Sequence, residues 1–395
     1  MTKTPFEKLM ETHPDLEIWW DSSPLIYASW AEGFLKKTDS VKRDGLRDQL
    51  KRLFDPEQPG KTLFRGVTTN PPLSLAVIKA RESYVSQIVK DLMDQHPSLD
   101  QESLFWMTYK EIVRRGAEMY LDLFHRSGFR YGYLSGQVDP RNLTDQEKMI
   151  SQALELASLS PNVMIKVPGT REGYEVIRFL TSRGISTNNT LTFVLSQLMA
   201  CAQAVQEGLE IARKNGVDLT RWRSVITHMT ARYGDLGDLR KEASALGIDL
   251  SEADVRWAEL AIFKKAYRLL KERNSPSKML ICSMRISPEM NGKKYCWHLE
   301  KLAGGDIVFT CPPSFIEGVF EYLEGTEFQP QIDEEVPPSV LEKLLRLPYF
   351  ERAYDEKGFS PGEFISHPAM IATAKEFSKA TEEMVHFVAK HLPAQ

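Results

Sequence analysis

Eight short runs of apolar and β-branched residues recur along the 395-residue chain, each followed by a longer stretch. They are EIWWD (17–21), GVTTN (66–70), GYLSGQVD (132–139), VMIKVP (163–168), ISTNNTLTF (185–193), RSVITHM (223–229), KMLICSM (278–284) and DIVFTCP (306–312). The stretches between them carry helical periodicity. In TREGYEVIRFLTSRG, Tyr174, Ile177, Phe179 and Leu180 fall roughly on one face, and Gly184 is placed to end the helix. Gly173 weakens that helix slightly. Strands alternating with helices read as parallel βα units, and eight of them close a (β/α)8 TIM barrel.

The intervals are uneven. Those from Asp21 to Asn70, Asn70 to Gln137 and Thr227 to Ser283 exceed the roughly 30 residues that a bare unit needs. They are expected to hold extra helices or loops. Segment 40–60, rich in charge, reads as a solvated helix and loop, and segment 235–256 as a second insertion. The residues after the eighth run, 313–395, read as a C-terminal helical extension. The expectation is therefore one enlarged barrel domain over 1–395, with its strands between residues 17 and 312.

Composition narrows the function. The net charge is −4 with no long basic run, which argues against nucleic acid or an anionic membrane as partner. The N-terminal segment has charges every few residues and no apolar signal-peptide core, and no run approaches 18 apolar residues. Four cysteines (Cys201, Cys282, Cys296, Cys311) without CxxC spacing read as buried reduced thiols. No histidine or cysteine pair has metal-ligand spacing and no Gly-rich phosphate loop follows a strand, and neither metal nor organic cofactor is expected. A cytoplasmic protein fits these features, and the oligomeric state is not readable.

Alternation along the strands sorts the polar residues. Thr68 pairs with Asn70, and Ser135 with Gln137 and Asp139. Asn188, Thr190 and Thr192 line up, as do Ser283 and Arg285, and the first strand ends in Asp21. Most runs thus become polar near their C-terminal ends, where a barrel carries its active site. Lys166 stands out, because an ammonium in an apolar strand is costly unless it is paired or its pKa falls. A lysine that is neutral part of the time attacks carbonyls to form Schiff bases. The alternative is a lysine snorkelling at a strand end. His228 reads as a packed or exposed residue, and Trp19 and Trp20 as core and barrel wall.

GVTTNPPL (66–73), SGQVDPR (135–141), NVMIKVPGTREG (162–173), GISTNNTLTFVLSQ (184–197), CSMR (282–285) and GGDIVFTCP (304–312) together resemble the transaldolase family of class I aldolases. The resemblance spans about 17–315. It implies that Lys166 forms the Schiff base with a ketose phosphate and that Asp21 handles protons at the substrate hydroxyl. Asn70 and Asn188 would hydrogen-bond the dihydroxyacetone part, and Thr190 would hold the proton-relaying water. Thr227 falls where the family usually has a serine. Arg232, Ser283 and Arg285 match the phosphate-binding positions, and two guanidiniums with a hydroxyl suit a dianion. The implied activity is a transferase of carbohydrate metabolism, in the pentose phosphate pathway, acting on sugar phosphates.

Two positions depart from the family. Gln137 replaces the glutamate that works with the threonine-bound water; a glutamine orients water but exchanges no proton at neutral pH. Fructose 6-phosphate aldolases share that glutamine. Met229 stands where transaldolases have phenylalanine and those aldolases tyrosine. Two rivals follow: a lyase releasing free dihydroxyacetone, and a non-catalytic sugar-phosphate-binding protein. Asp139 is expected to order the following turn through Arg141.

Overall fold

The computed structural model describes residues 2–393. Eight strands are present: β1 (Glu17–Asp21), β2 (Phe64–Thr68), β3 (Tyr133–Gln137), β4 (Val163–Pro168), β5 (Thr187–Thr190), β6 (Ser224–Met229), β7 (Lys278–Cys282) and β8 (Ile307–Cys311); each lies within an expected run except β2, which begins two residues before GVTTN. They form a closed barrel in the order β1-β8-β7-β6-β5-β4-β3-β2, surrounded by helices, which is the (β/α)8 architecture. A small antiparallel hairpin, Glu289–Met290 with Lys293–Lys294, was not evident in the sequence. No helix among the described residues is long and apolar enough to cross a membrane. All four cysteines are buried and free.

The chain divides into two compact units, residues 1–19 with 167–373 and residues 20–166 with 374–395. In the first, β5 to β8 pair in parallel, with Asn188 opposite Val225, Thr227 opposite Leu280 and Phe309 opposite Ile281. An ion-pair cluster joins strand starts. Burial alone would raise the carboxyl pKa of Glu17, but Arg223 at 2.6 Å and Lys278 at 2.8 Å outweigh it and hold that pKa below its ordinary value. In the second unit, β2 pairs with β3 and β3 with β4. Trp20 packs among Tyr27, Trp30 and Phe64 there, with ring centroids 5.0–5.7 Å apart.

Segment 40–60 departs from its expectation. Its helix, Arg43–Leu53, buries Leu46, Leu50 and Leu53, and the Tyr27 hydroxyl donates to Leu50 O at 2.7 Å. The segment is therefore anchored along one leucine face, since those three residues recur at helical spacing. Beyond β8 lie the helices Pro313–Tyr322, Pro338–Leu345, Pro348–Tyr354 and Pro368–Ala389.

Helix Arg171–Ser182 follows β4. Its Thr170 cap accepts from Gly173 N at 2.9 Å, and Gly184, with φ of 72°, closes the following turn. Val176 joins the buried face, whereas Phe179 is half-buried with the Arg183 guanidinium over its ring. Gly173 has a steric reason: a Cβ there would lie 1.9 Å from Pro168 O. The weak helix former is what lets the helix start against the end of β4.

Candidate active site

In the second unit the buried polar residues gather at the ends of β1 to β4. Lys166 is 4 % exposed, and its Nζ donates to Thr69 O at 2.8 Å. A backbone carbonyl accepts one N–H bond without adding a full charge, so a buried amine stays oriented. Gln137 lies opposite Lys166 in the β3–β4 register. Its backbone N–H donates to Tyr109 Oη at 2.8 Å, and that hydroxyl donates to Gln137 O at 3.1 Å. Burial pushes the Tyr109 hydroxyl up to about 12, so it remains protonated and able to donate. Gln137 Oε1 is buried with no hydrogen-bond partner among the described residues. Asp21, also buried, accepts from Thr68 Oγ1 at 2.7 Å.

Asn70 differs from its expected place. β2 stops at Thr68, and Asn70 caps helix Pro71–Ala80, its Oδ1 accepting from Leu73 N at 3.0 Å. Proline at the first helical position lacks an N–H and has a preset φ, which ends the strand and starts the helix here. With Oδ1 occupied, Asn70 has its amide N–H groups to offer. Asp139 orders its turn: Arg141 donates to it from N at 2.9 Å and from Nη2 at 2.6 Å.

In the first unit, Thr227 Oγ1 donates to Asn188 Oδ1 at 2.7 Å, and Thr227 N donates to Asn189 Oδ1 at 2.7 Å. The first bond fixes which way the Asn188 amide faces. Thr190 is fully buried, with Oγ1 at 3.9 Å from Met229 Sδ. The expected alternation does not run on to Thr192. β5 ends at Thr190, Leu191 takes a left-handed φ of 57°, and Thr192 Oγ1 donates to Thr227 O. Ser283, just past β7, has a φ of 59°. Left-handed backbone is uncommon for such residues, and two cases directly beyond barrel strands mark loops held by their surroundings.

Arg285 is the exposed member, with 45 % of its side chain accessible, and its Nε donates to Asp235 Oδ2 at 3.0 Å. Arg232, on helix Thr230–Leu236, donates to Thr373 Oγ1 at 3.4 Å. His228 is fully buried between Phe193 O and Thr230 Oγ1, and burial lowers its pKa to about 4. It is a packed residue.

Tyr109, Thr69 and Asp235 were not singled out from the sequence, and Thr68 only as sharing a strand face with Asn70. Thr68 and Thr69 carried a signal, lying inside the TTNP motif. Asp235 sits three residues after Arg232, a weaker signal. Tyr109 belongs to the helix Gln101–Glu118, far in sequence from the strand it holds.

A family model for transaldolase/fructose-6-phosphate aldolase matches residues 38–355. The chain belongs to that family. The transaldolase of Kocuria rhizophila is 28% identical over 305 residues, which cover 73% of this chain and 79% of that protein. Transaldolase 1 of Streptomyces avermitilis is 35% identical over 209 residues, or 52% of this chain and 54% of the relative. Transaldolase 1 of Streptomyces coelicolor is 36% identical over 186 residues, or 47% and 48%. The chain thus spans about half the length of the two Streptomyces relatives it matches. Membership of the transaldolase/fructose-6-phosphate aldolase family agrees with the closed barrel.

Proposed function

We propose that this chain is a transaldolase-type transferase that moves a dihydroxyacetone unit from a ketose phosphate to an aldose phosphate. The observation that carries the reading is Lys166: a buried amine on an otherwise apolar strand, oriented by the Thr69 carbonyl and paired in register with Gln137. Asp21, held by Thr68, is the proposed proton handler. Family membership over residues 38–355 supports one barrel domain, proposed here over 1–395.

The proposed course is as follows. Neutral Lys166 Nζ adds to the ketose carbonyl, and loss of hydroxide, which takes a proton from solvent to leave as water, gives the protonated imine. Asp21 takes the proton of the hydroxyl beyond the bond to be broken. That carbon–carbon bond breaks, its electron pair passes into the imine, and an aldose phosphate leaves. The enamine left on Lys166 attacks the acceptor aldehyde, the new alkoxide takes the proton from Asp21, and water hydrolyses the imine. Asn70 and Asn188 offer amide hydrogen bonds to the three-carbon unit. Thr190 and Gln137 orient the water, and Thr227 sets the Asn188 amide. Arg232, Ser283 and Arg285 bind the phosphate.

The test is reduction with borohydride in the presence of fructose 6-phosphate, followed by peptide mass analysis. A three-carbon adduct is expected on Lys166, and active protein with Lys166 unmodified would end the reading. Gln137 favours one second reading, a lyase that releases dihydroxyacetone, because no carboxylic acid stands at that position. Product release with and without erythrose 4-phosphate separates the two. Release at the same rate without the acceptor supports the lyase.

A further inference from the structure

Residue 285 is held at both ends by one ring of side chains. Its backbone N–H donates to His298 Nδ1 at 3.0 Å. Because Nδ1 accepts, a neutral ring carries its proton on Nε2, and Nε2 lies 2.9 Å from Glu259 Oε2. The other Glu259 oxygen is 3.1 Å from Arg256 Nη2, which donates to Asp235 Oδ1 at 2.8 Å. Asp235 Oδ2 accepts from Arg285 Nε at 3.0 Å, which closes the ring on the guanidinium.

His298 and Glu259 are fully buried, and Arg256 is 3 % exposed. Burying three such groups is costly unless they face one another, so this ring is not incidental surface polarity, even though Glu259 Oε1, Arg256 Nε and Arg256 Nη1 make no hydrogen bond among the described residues. The backbone makes room for it: a Cβ on Gly234 would come 2.2 Å from Glu259 Oε1. Burial first, and then the positive Arg256 and Arg285, push His298 well below its ordinary pKa, which keeps the ring neutral as the bond to Arg285 N–H requires. Burial raises the Glu259 carboxyl well above its ordinary pKa, against the pull of Arg256. A phosphate dianion arriving at Arg285 therefore meets a cation already aimed by Asp235, on a backbone already fixed by His298.

We propose that His298, Glu259 and Asp235 are positioning residues for Arg285, setting the direction in which its guanidinium meets the substrate phosphate. This rests on the reading that Arg285 binds that phosphate. Arg256 ties the two arms together. The loop between β7 and the short helix Trp297–Glu300 then acts as a preset phosphate clamp, with recognition depending on residues that never touch the sugar.

The experiment measures kcat and KM of the full-length protein with fructose 6-phosphate and with unphosphorylated fructose. The variants are H298L, H298N, D235N and R285A. H298L removes the acceptor for Arg285 N–H, whereas H298N offers an amide oxygen near the Nδ1 position. H298L and D235N are expected to raise KM for the phosphorylated donor about tenfold, clearly more than for fructose, with kcat less affected. H298N should recover most of the loss. Should H298L not fold, D235N, at a half-exposed side chain, gives the same readout. Equal losses on both donors, no change, or a fall in KM in D235N would each overturn the inference. If R285A loses the preference for the phosphorylated donor while H298L and D235N keep it, the positioning role alone fails. If the wild type shows no such preference, the reading beneath it fails as well.

Discussion

The polar residues of the two units are built on opposite terms. In the second unit Lys166, Asp21 and Gln137 are buried, and Thr69 O, Thr68 Oγ1 and Tyr109 Oη are among the groups they bond. In the first unit Arg285 is nearly half accessible and its partner is a full charge, Asp235. Bond-making groups need a dry, exact setting in which a proton's position matters. A group that captures a dianion from water needs a permanent charge within reach of solvent, held in direction by a weaker anion. The contrast teaches that changes in the second unit should appear in kcat and changes at Arg285 in KM.

The largest effect is expected from Lys166→Ala, a loss of kcat of at least about 10^3-fold on any donor, with no borohydride adduct. Retained turnover would break the contrast at its base. Asp21→Asn should follow, lowering kcat by about 10^2-fold or more without a matching rise in KM, measured by coupled assay. Arg285→Ala should act the other way, with KM for a phosphorylated donor rising about ten- to a hundredfold and kcat much less changed. A kcat-only effect there would erase the difference between the units.

Two smaller effects concern stability in the first unit. Gly173→Ala sets a methyl against Pro168 O and should cost about 1–3 kcal/mol, read as a lower urea midpoint. His367 is buried among the rings of Phe193, Tyr233, Tyr349 and Phe359, and neither ring nitrogen has a hydrogen-bond partner among the described residues. Burial lowers its pKa from 6.5 to about 4. Between those values the unfolded chain binds a proton that the folded one refuses, so stability falls as pH drops through this window. His367→Phe removes that term. Its urea midpoint relative to wild type should rise between pH 7.5 and pH 5, whereas a constant difference would show that His367 titrates normally.

The strands were legible because each is a short β-branched run between helical stretches, and Lys166 because a charge in VMIKVP has no ordinary explanation. Asn70 was legible as a residue and misread as strand, since the Pro71–Pro72 pair that turns it into a helix cap lies just downstream. Thr192 was misread because alternation presumes extended backbone, and nothing in ISTNNTLTF marks Leu191 as left-handed. The ring around Arg285 was not legible at all. Its members, at 235, 256, 259, 285 and 298, come from three helices and the loop after β7, and helix Glu252–Glu272, which carries two of them, shows only ordinary charged residues until its buried face is known.

The left-handed backbone at Ser283 sets two selection pressures against each other. Glycine adopts that conformation freely, whereas an L side chain costs about 1–2 kcal/mol there. A chain selected for thermal endurance alone would drift to glycine at 283. A directed-evolution campaign scored on heat resistance should therefore enrich Ser283→Gly early, and the clones that carry it should be the ones that turn over sugar phosphates poorly.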